Sequence, residues 1–222
     1  MNRSPRAILF DLDGTLVDSA PDLAGTLFEL LAELGVPAPA YEACRAHVSQ
    51  GVRGLLGCAL GITPEDSDYE ALRARFLQIY ATRLAQESEL FPGVREVLEQ
   101  LDEWTLPWAV ATNKPARFTS PLLAELDLMP PSGIVMTPDD VDKGKPDPAM
   151  VKLALAQLGV AAETCWFIGD AHQDMIAGNQ AGVVTAIAGW GYIGDQEPLE
   201  DWQADLQFSD LDELLARISA AR

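Results

Sequence analysis

Several things are scarce in this chain of 222 residues, and each scarcity removes a class of function. Only three cysteines are present, Cys44, Cys58 and Cys165, widely separated and with no Cys-x-x-Cys pair. That excludes a disulfide framework and a thiolate zinc site, and a reduced, cytoplasmic setting is expected. Basic residues are few: 15 Lys and Arg stand against 34 Asp and Glu, a net charge of −19. Sequence-independent binding of DNA or RNA needs cations to displace phosphate counterions, so no nucleic-acid partner is expected. No uncharged apolar run approaches the roughly 18 residues of a membrane span. The first apolar run, Ala7 to Phe10, is too short for a signal-peptide core, so no membrane partner is expected. There are two histidines, and no lysine precedes Lys114.

What is present is a globular balance, with 48% hydrophobic and 22% charged residues. Short apolar runs end at turn residues: Ala7–Phe10 before Asp11, Trp108–Ala111 before Thr112-Asn113, and Gly133–Met136 before Thr137-Pro138. Cys165–Ile168 ends at Gly169-Asp170, and Val183–Ala188 ends at Gly189. Continuous runs of this kind read as strands buried on both faces, as in a parallel sheet. Helical periods separate them, through Val94, Val97, Leu98 and Leu101, then Leu122, Leu123 and Leu126, then Met150, Val151, Ala154 and Leu158. Strand and helix in alternation predict an α/β fold, a Rossmann-like parallel sheet with helices on both faces.

One stretch breaks the alternation. From about Pro21 to Glu89 no strand is evident, while Leu23, Leu27, Leu30, Leu31 and Leu34 mark one helix. Leu72, Phe76, Ile79, Tyr80 and Leu84 mark another. A plain crossover needs only one helix, so an inserted all-α helical cap is expected. The predicted division is residues 1–17 and 91–222 as the core and 18–90 as the cap. Gly14–Ser19 and Leu90–Gly93 would be the hinges, with Asp18, Ser19 and Pro21 starting the first cap helix.

In open α/β sheets, ligands bind at the carboxyl ends of the strands. The polar residues there are Asp11, Asp13, Thr112, Asn113 and Asp170, with Lys145 and Asp174 on adjoining segments. Converging carboxylates need a cation, and oxygen ligands without nearby His or Cys suit Mg2+. Carboxylate, metal, hydroxyl and lysine together make a site for a phosphoryl group. Thr112 and Asn113 would donate to its oxygens, and Lys145 would neutralise charge in the transition state. Asp11 would attack phosphorus, and Asp13 would protonate the leaving oxygen and later activate water.

These segments carry a resemblance. Asp-Leu-Asp-Gly-Thr-Leu-Val-Asp-Ser (Asp11 to Ser19) resembles the first motif of the haloacid dehalogenase superfamily. Ala-Thr-Asn-Lys-Pro (Ala111 to Pro115), Gly-Lys-Pro-Asp-Pro (Gly144 to Pro148) and Gly-Asp-Ala-His-Gln-Asp (Gly169 to Asp174) resemble its second, third and fourth motifs. All four stand in the family order. The resemblance implies Asp11 as nucleophile and Asp13 as general acid/base. It implies a Mg2+ site formed by the Asp11 and Asp170 carboxylates and the Asp13 backbone carbonyl, with Asp174 behind it. The second aspartate and the lysine-free helical segment both point to C–O–P cleavage, not to dehalogenation or phosphonate cleavage.

The resemblance implies a phosphatase for a small phosphorylated metabolite, of the phosphoglycolate phosphatase branch, acting as a monomer or homodimer. Ser49–Leu56, Trp108–Phe118 and Gly189–Ile193 resemble bacterial N-acetylmuramic acid 6-phosphate phosphatases, which makes that substrate the main alternative. A sugar phosphomutase is a less favoured one. Arg53, in the glycine-flanked turn Ser49–Gly54, is the candidate cap contact to a substrate carboxylate or sugar. Lys114 and Arg117 stand at a helix start, where solvent exposure and a fringe of the substrate site are both open readings. His47 and His172 receive no assigned role, and Trp190-Gly191-Tyr192 is expected to end the loop after a core strand.

Overall fold

The structure is a computed structural model and describes residues 4–194 and 198–222. Residues 1–3 and 195–197, which fall in the predicted core segments, lie outside the described residues. Strand β1 (Ala7–Phe10) is apolar throughout and wholly buried. Its residues alternate between two cores. Ile8 and Phe10 join a large cluster with Leu27, Phe76 and Val110, while Ala7 and Leu9 join Ala109, Val151 and Phe167 on the opposite face. Burial on both faces is why the strand reads as a continuous run.

After β1 the chain forms β2 (Val17–Asp18), then α1 (Ala20–Leu34), α2 (Tyr41–Arg45), α3 (Gly51–Leu60) and α4 (Tyr69–Arg83). It returns through β3 (Glu89–Leu90) to α5 (Val94–Glu103), β4 (Trp108–Ala111), α6 (Ala116–Glu125) and β5 (Val135–Met136). Then follow α7 (Ala149–Leu158), β6 (Cys165–Gly169), α8 (His172–Ala181), β7 (Val184–Ala188), β8 (Leu206–Phe208) and α9 (Leu211–Ala221). The main sheet has six strands in the order β5-β4-β1-β6-β7-β8, all pairs parallel. Ile8 stands opposite both Trp108 and Trp166. The chain winds first to one side of β1 and then to the other, so the ends of β4, β1 and β6 flank the switch point where ligands of such sheets bind.

Two details depart from the expectation. The run Gly133–Met136 gives only a two-residue strand, because Gly133 turns with φ of 69°. Strand β8 has no apolar run to announce it; its Phe208 stacks on Trp166 with ring centroids 6.2 Å apart.

Among the described residues, the segment 18–90 contains no strand of the main sheet. Helix α1 packs against α2, α3 and α4, and α3 packs against both α2 and α4. The two crossings into and out of this segment pair as an antiparallel ribbon, Val17 with Leu90 and Asp18 with Glu89. Beside the ribbon, the buried Asp22 carboxylate accepts from the backbone N–H groups of Glu87 and Ser88 and from the Ser88 hydroxyl, the last at 2.6 Å. Hydrogen bonds to a charged group are worth roughly 1.5–3 kcal/mol, and their loss leaves buried donors unpaired. Asp22→Ala is expected to lower unfolding free energy by about 2–3 kcal/mol in urea titration. A change within ~0.5 kcal/mol would show that the ribbon does not depend on this carboxylate.

Candidate active site

Each of three parallel strands delivers one polar residue immediately past its last residue: Asp11 after β1, Thr112 after β4 and Asp170 after β6. The ladder extends into them, since Asp11 N–H donates to Ile168 O at 2.8 Å and Thr112 N–H to Met136 O at 2.9 Å. Lys145 arrives from the loop before α7, and Asp174 from the first turn of α8.

Lys145 is the centre of the arrangement. Its buried ammonium lies 2.7 Å from Asp11 Oδ1, 2.7 Å from Asp174 Oδ1 and 2.9 Å from the Ala111 carbonyl. Two carboxylates and a carbonyl thus surround one ammonium group. Burial works against the charge, but the two carboxylates outweigh it and push the lysine pKa up. Lys145 therefore stands behind Asp11 and does not line the cavity above it. Its charge is delivered to the site through its hold on Asp11.

Asn113 also differs from the expectation. Its side chain accepts from Lys145 N–H at 2.8 Å and donates to Lys145 O at 2.8 Å, and its second amide proton faces Gln173 Oε1 at 3.2 Å. Both amide protons are engaged, so the amide positions Lys145, and Asn113 also lines the cavity over Asp11. Thr112 keeps its role open. Its oxygen accepts from Lys114 N–H at 3.1 Å, which leaves the hydroxyl proton free to donate.

Asp13 lies two residues beyond Asp11, where Ser19 donates to its Oδ1 at 2.5 Å and Lys114 Nζ at 2.7 Å. Ser19 precedes α1, yet its hydroxyl serves Asp13 instead of capping the helix. Lys114 is the residue that the sequence reading undervalued. It is buried, not exposed, and its ammonium lies 5.0 Å from the centre of the Tyr80 ring. Burial opposes its charge, but Asp13 and the Tyr80 phenol together raise its pKa. The signal was its place in Thr-Asn-Lys-Pro; the partner lay 101 residues away.

The Asp170 carboxylate accepts from Thr15 Oγ1 at 3.0 Å, Tyr192 N–H at 3.1 Å and Ser49 Oγ at 2.6 Å. Gly14, with φ of 85°, passes so close that a Cβ there would overlap this carboxylate. Ser49 comes from the helical segment, and Gln173 Nε2 donates to its carbonyl at 3.0 Å. Trp190 Nε1 donates to Thr15 O, and the Tyr192 hydroxyl donates to Asp18 Oδ1 while accepting from Ala20 N–H. The loop after β7 thus braces both the site and the ribbon.

Carboxylate oxygens of Asp11, Asp170 and Asp174 lie within 4.8 Å of one another, all buried. The four site acids, when ionised, carry −4 against +2 from Lys114 and Lys145, leaving −4 + 2 = −2. An oxygen-only donor set with that residual charge fits a hard divalent cation. Asp13 contributes no carboxylate to this group, since its side chain faces Ser19 and Lys114. Without a cation, burial pushes Asp11 up to about 7, against the pull of Lys145 and with a further push from Asp174. Burial and the Asp11 charge likewise raise Asp170 to about 7.

Asp11, Asp13 and Thr112 line a cavity of about 270 Å³ roofed by α3 and α4, and Arg53 reaches it as expected. A neighbouring cavity of about 370 Å³ exposes Asp170 and shares Ser49, Arg53 and Gln173 with the first. His172 stacks on Trp202 with ring centroids 5.7 Å apart, and neither it nor His47 lines the cavity over Asp11.

The haloacid dehalogenase-like hydrolase family matches residues 8–188. The chain belongs to that family. It is 39% identical over 201 residues to an N-acetylmuramic acid 6-phosphate phosphatase of Pseudomonas putida, covering 90% of each chain. It is 38% identical over 205 residues to a phosphoglycolate phosphatase of Xanthomonas campestris pv. campestris, covering 92% of each. The crystal structure of a predicted phosphoglycolate phosphatase from Haemophilus somnus matches with a TM-score of 0.81 at 26% identity, over 96% of this chain and 97% of that one. No described helix of this hydrolase is long and apolar enough to cross a membrane.

The raised carboxyls give the metal-free hydrolase a signed pH dependence. Folded Asp11 and Asp170 hold protons up to about pH 7, whereas unfolded carboxyls release them near pH 4. Between those values the folded state binds more protons, so stability falls as pH rises. In EDTA the melting midpoint is expected to drop by on the order of 5 °C from pH 5 to pH 8, and Asp170→Asn to flatten the slope. Adding Mg2+ at the upper pH restores the midpoint, as binding to the folded state alone must. A wild-type midpoint as flat as that of Asp170→Asn would contradict the raised values.

Proposed function

We propose that this chain is a Mg2+-dependent phosphatase that hydrolyses a small organic phosphomonoester through an aspartyl-phosphate on Asp11. The observation that carries the reading is the paired state of the two first-motif aspartates. Asp11 Oδ1 is held by Lys145 at 2.7 Å and by Leu12 N–H at 2.7 Å, which leaves Oδ2 to attack phosphorus. Asp13 Oδ1 is held by Ser19 and Lys114, which leaves its Oδ2 for proton transfer. The cation, held by the Asp11 and Asp170 carboxylates with the Asp13 backbone carbonyl, would supply charge neutralisation for the phosphoryl oxygens.

The Asp11–phosphorus bond forms as the bond to the leaving oxygen breaks, and Asp13 gives that oxygen its proton. The Thr112 hydroxyl donates to a phosphoryl oxygen during the transfer. Asp13, now a base, takes a proton from water as the water oxygen attacks phosphorus, and Asp11 leaves with its original charge. Closure of the helical segment 18–90 as a cap excludes bulk water from these steps.

A phosphoglycolate-like substrate is the first reading, given the Xanthomonas relative, with the enzyme acting in the cytoplasm as a monomer or homodimer. N-acetylmuramic acid 6-phosphate is the second, given the Pseudomonas putida relative.

Purified protein with Mg2+ is expected to release inorganic phosphate from p-nitrophenyl phosphate. Asp11→Asn is expected to reduce kcat by at least ~10³-fold. Turnover that survives in Asp11→Asn would overturn the covalent route. Isomerised sugar phosphate without free phosphate would replace the hydrolase by a mutase.

A further inference from the structure

Asp170 is a cation ligand in the reading above, yet one of its partners comes from the helical segment. Thr15 Oγ1 and Tyr192 N–H reach it from loops at the ends of the sheet strands. Ser49 Oγ, 2.6 Å from Oδ2, stands two residues before α3 and belongs to the roof. A hydroxyl-to-carboxylate contact of that length is charge-assisted and about twice as strong as a neutral hydrogen bond. The carbonyl of Ser49 is held as well, by Gln173 Nε2 at 3.0 Å. Gln173 Oε1 accepts in turn from Asn113 Nδ2 at 3.2 Å, the amide that fixes Lys145. One roof residue is therefore fastened twice, through its hydroxyl to a cation ligand and through its carbonyl to the lysine's support.

These contacts also divide space. Asp11, Asp13 and Thr112 line one cavity and Asp170 lines the next, while Ser49 and Gln173 line both. The wall between the phosphoryl-binding residues and the Asp170 carboxylate is thus built in part from the fastening itself. Asp170 Oδ2 accepts two protons, from Ser49 and from Tyr192. A carboxylate oxygen offers about two lone-pair sites, so this oxygen is saturated while Ser49 holds it. A cation on Oδ1 instead would still draw charge from the same carboxylate and weaken the Ser49 contact. Either way the hydroxyl and the ion oppose each other.

We propose that Ser49 is a cation-sensitive clasp: its hydroxyl and the divalent ion compete for Asp170, so that loading the ion releases the roof. Gln173 is the strut that presents Ser49 to the carboxylate. Release removes the partition between the two cavities and opens them to substrate, so the ion binds first. Reclosure during turnover then depends on the substrate and not on Ser49. Coupling of this kind is reciprocal, and the fastened roof lowers cation affinity by the same factor. The inference rests on the cation site of the phosphatase reading and adds its regulation.

Calorimetric titration of the full chain with Mg2+ in the absence of substrate tests it, together with hydrogen exchange of residues 48–53. Ser49→Ala is expected to bind Mg2+ about 10-fold more tightly than wild type. Ser49→Thr keeps the hydroxyl and should stay near wild type. Gln173→Ala, which takes no group away from Asp170, should tighten binding by ~3-fold. Simple damage to the site would weaken binding in these variants. In wild type, saturating Mg2+ is expected to speed exchange at 48–53 by ~3-fold or more while β1 and β6 stay protected. In Ser49→Ala the same amides should exchange fast with or without the ion. Affinity in Ser49→Ala equal to or weaker than wild type, or slower exchange at 48–53 with Mg2+, would overturn the clasp even where p-nitrophenyl phosphate is hydrolysed. Absence of Mg2+ binding in wild type and Ser49→Ala alike would bring down the cation site and the clasp together.

Discussion

A single buried ammonium group organises this molecule. Lys145 joins Asp11 at the end of β1, the Ala111 carbonyl at the end of β4, and Asp174 in the first turn of α8, directly after β6. Three segments that are remote in sequence thus meet at one nitrogen. The lysine is itself fixed by an amide that takes both its backbone N–H and its carbonyl. A buried charge pair is seldom a net gain over apolar packing, yet breaking one side of it costs about 3–5 kcal/mol. That asymmetry explains why the site depends on the lysine so heavily. Without it, carboxylates that burial already penalises would face each other with no internal cation near them.

The second cation changes the charge balance that the sequence suggested. Reading Asp11, Asp13, Asp170 and Asp174 against Lys145 and a divalent ion leaves the group with one negative charge in excess. With Lys114 paired to Asp13 at 2.7 Å, the same divalent ion brings the group to zero. An anionic substrate of the proposed reaction would then meet a locally neutral floor. The charge of −19 stays on the outside, screened over roughly 8 Å at physiological salt.

Much of this was readable before any coordinates. Strands buried on both faces leave a continuous apolar run, so β1, β4 and β6 were visible, and the residue after each run was a site residue. Helices α1 and α4 were legible from their leucine and aromatic periods. What escaped were partners chosen by tertiary contact. Asn113 read as an anion donor because its neighbour Thr112 is one, but the loop carrying Lys145 claims its amide. Lys114 read equally as an exposed helix-start cation and as a fringe of the substrate site, because nothing near it in sequence covers it, whereas α4 brings Tyr80 onto it. Ser19 read as a helix cap, and its hydroxyl turned the other way, to Asp13. Strand β8 was missed because three residues at a sheet edge carry too little pattern to register.

The link between Ser19 and Asp13 has a mechanical consequence. Ser19 is the last residue before α1, and the short β2 segment between it and Asp13 is also one strand of the ribbon through which the helical segment is entered. The Asp13 carboxylate and the doorway of the helices therefore share one short piece of chain, tied across by a hydroxyl. Any rotation of α1 is transmitted to Asp13 without passing through the sheet. In the proposed mechanism the position of the acid follows that of the roof, so proton transfer is coupled to enclosure through the chain and the Ser19–Asp13 hydrogen bond together.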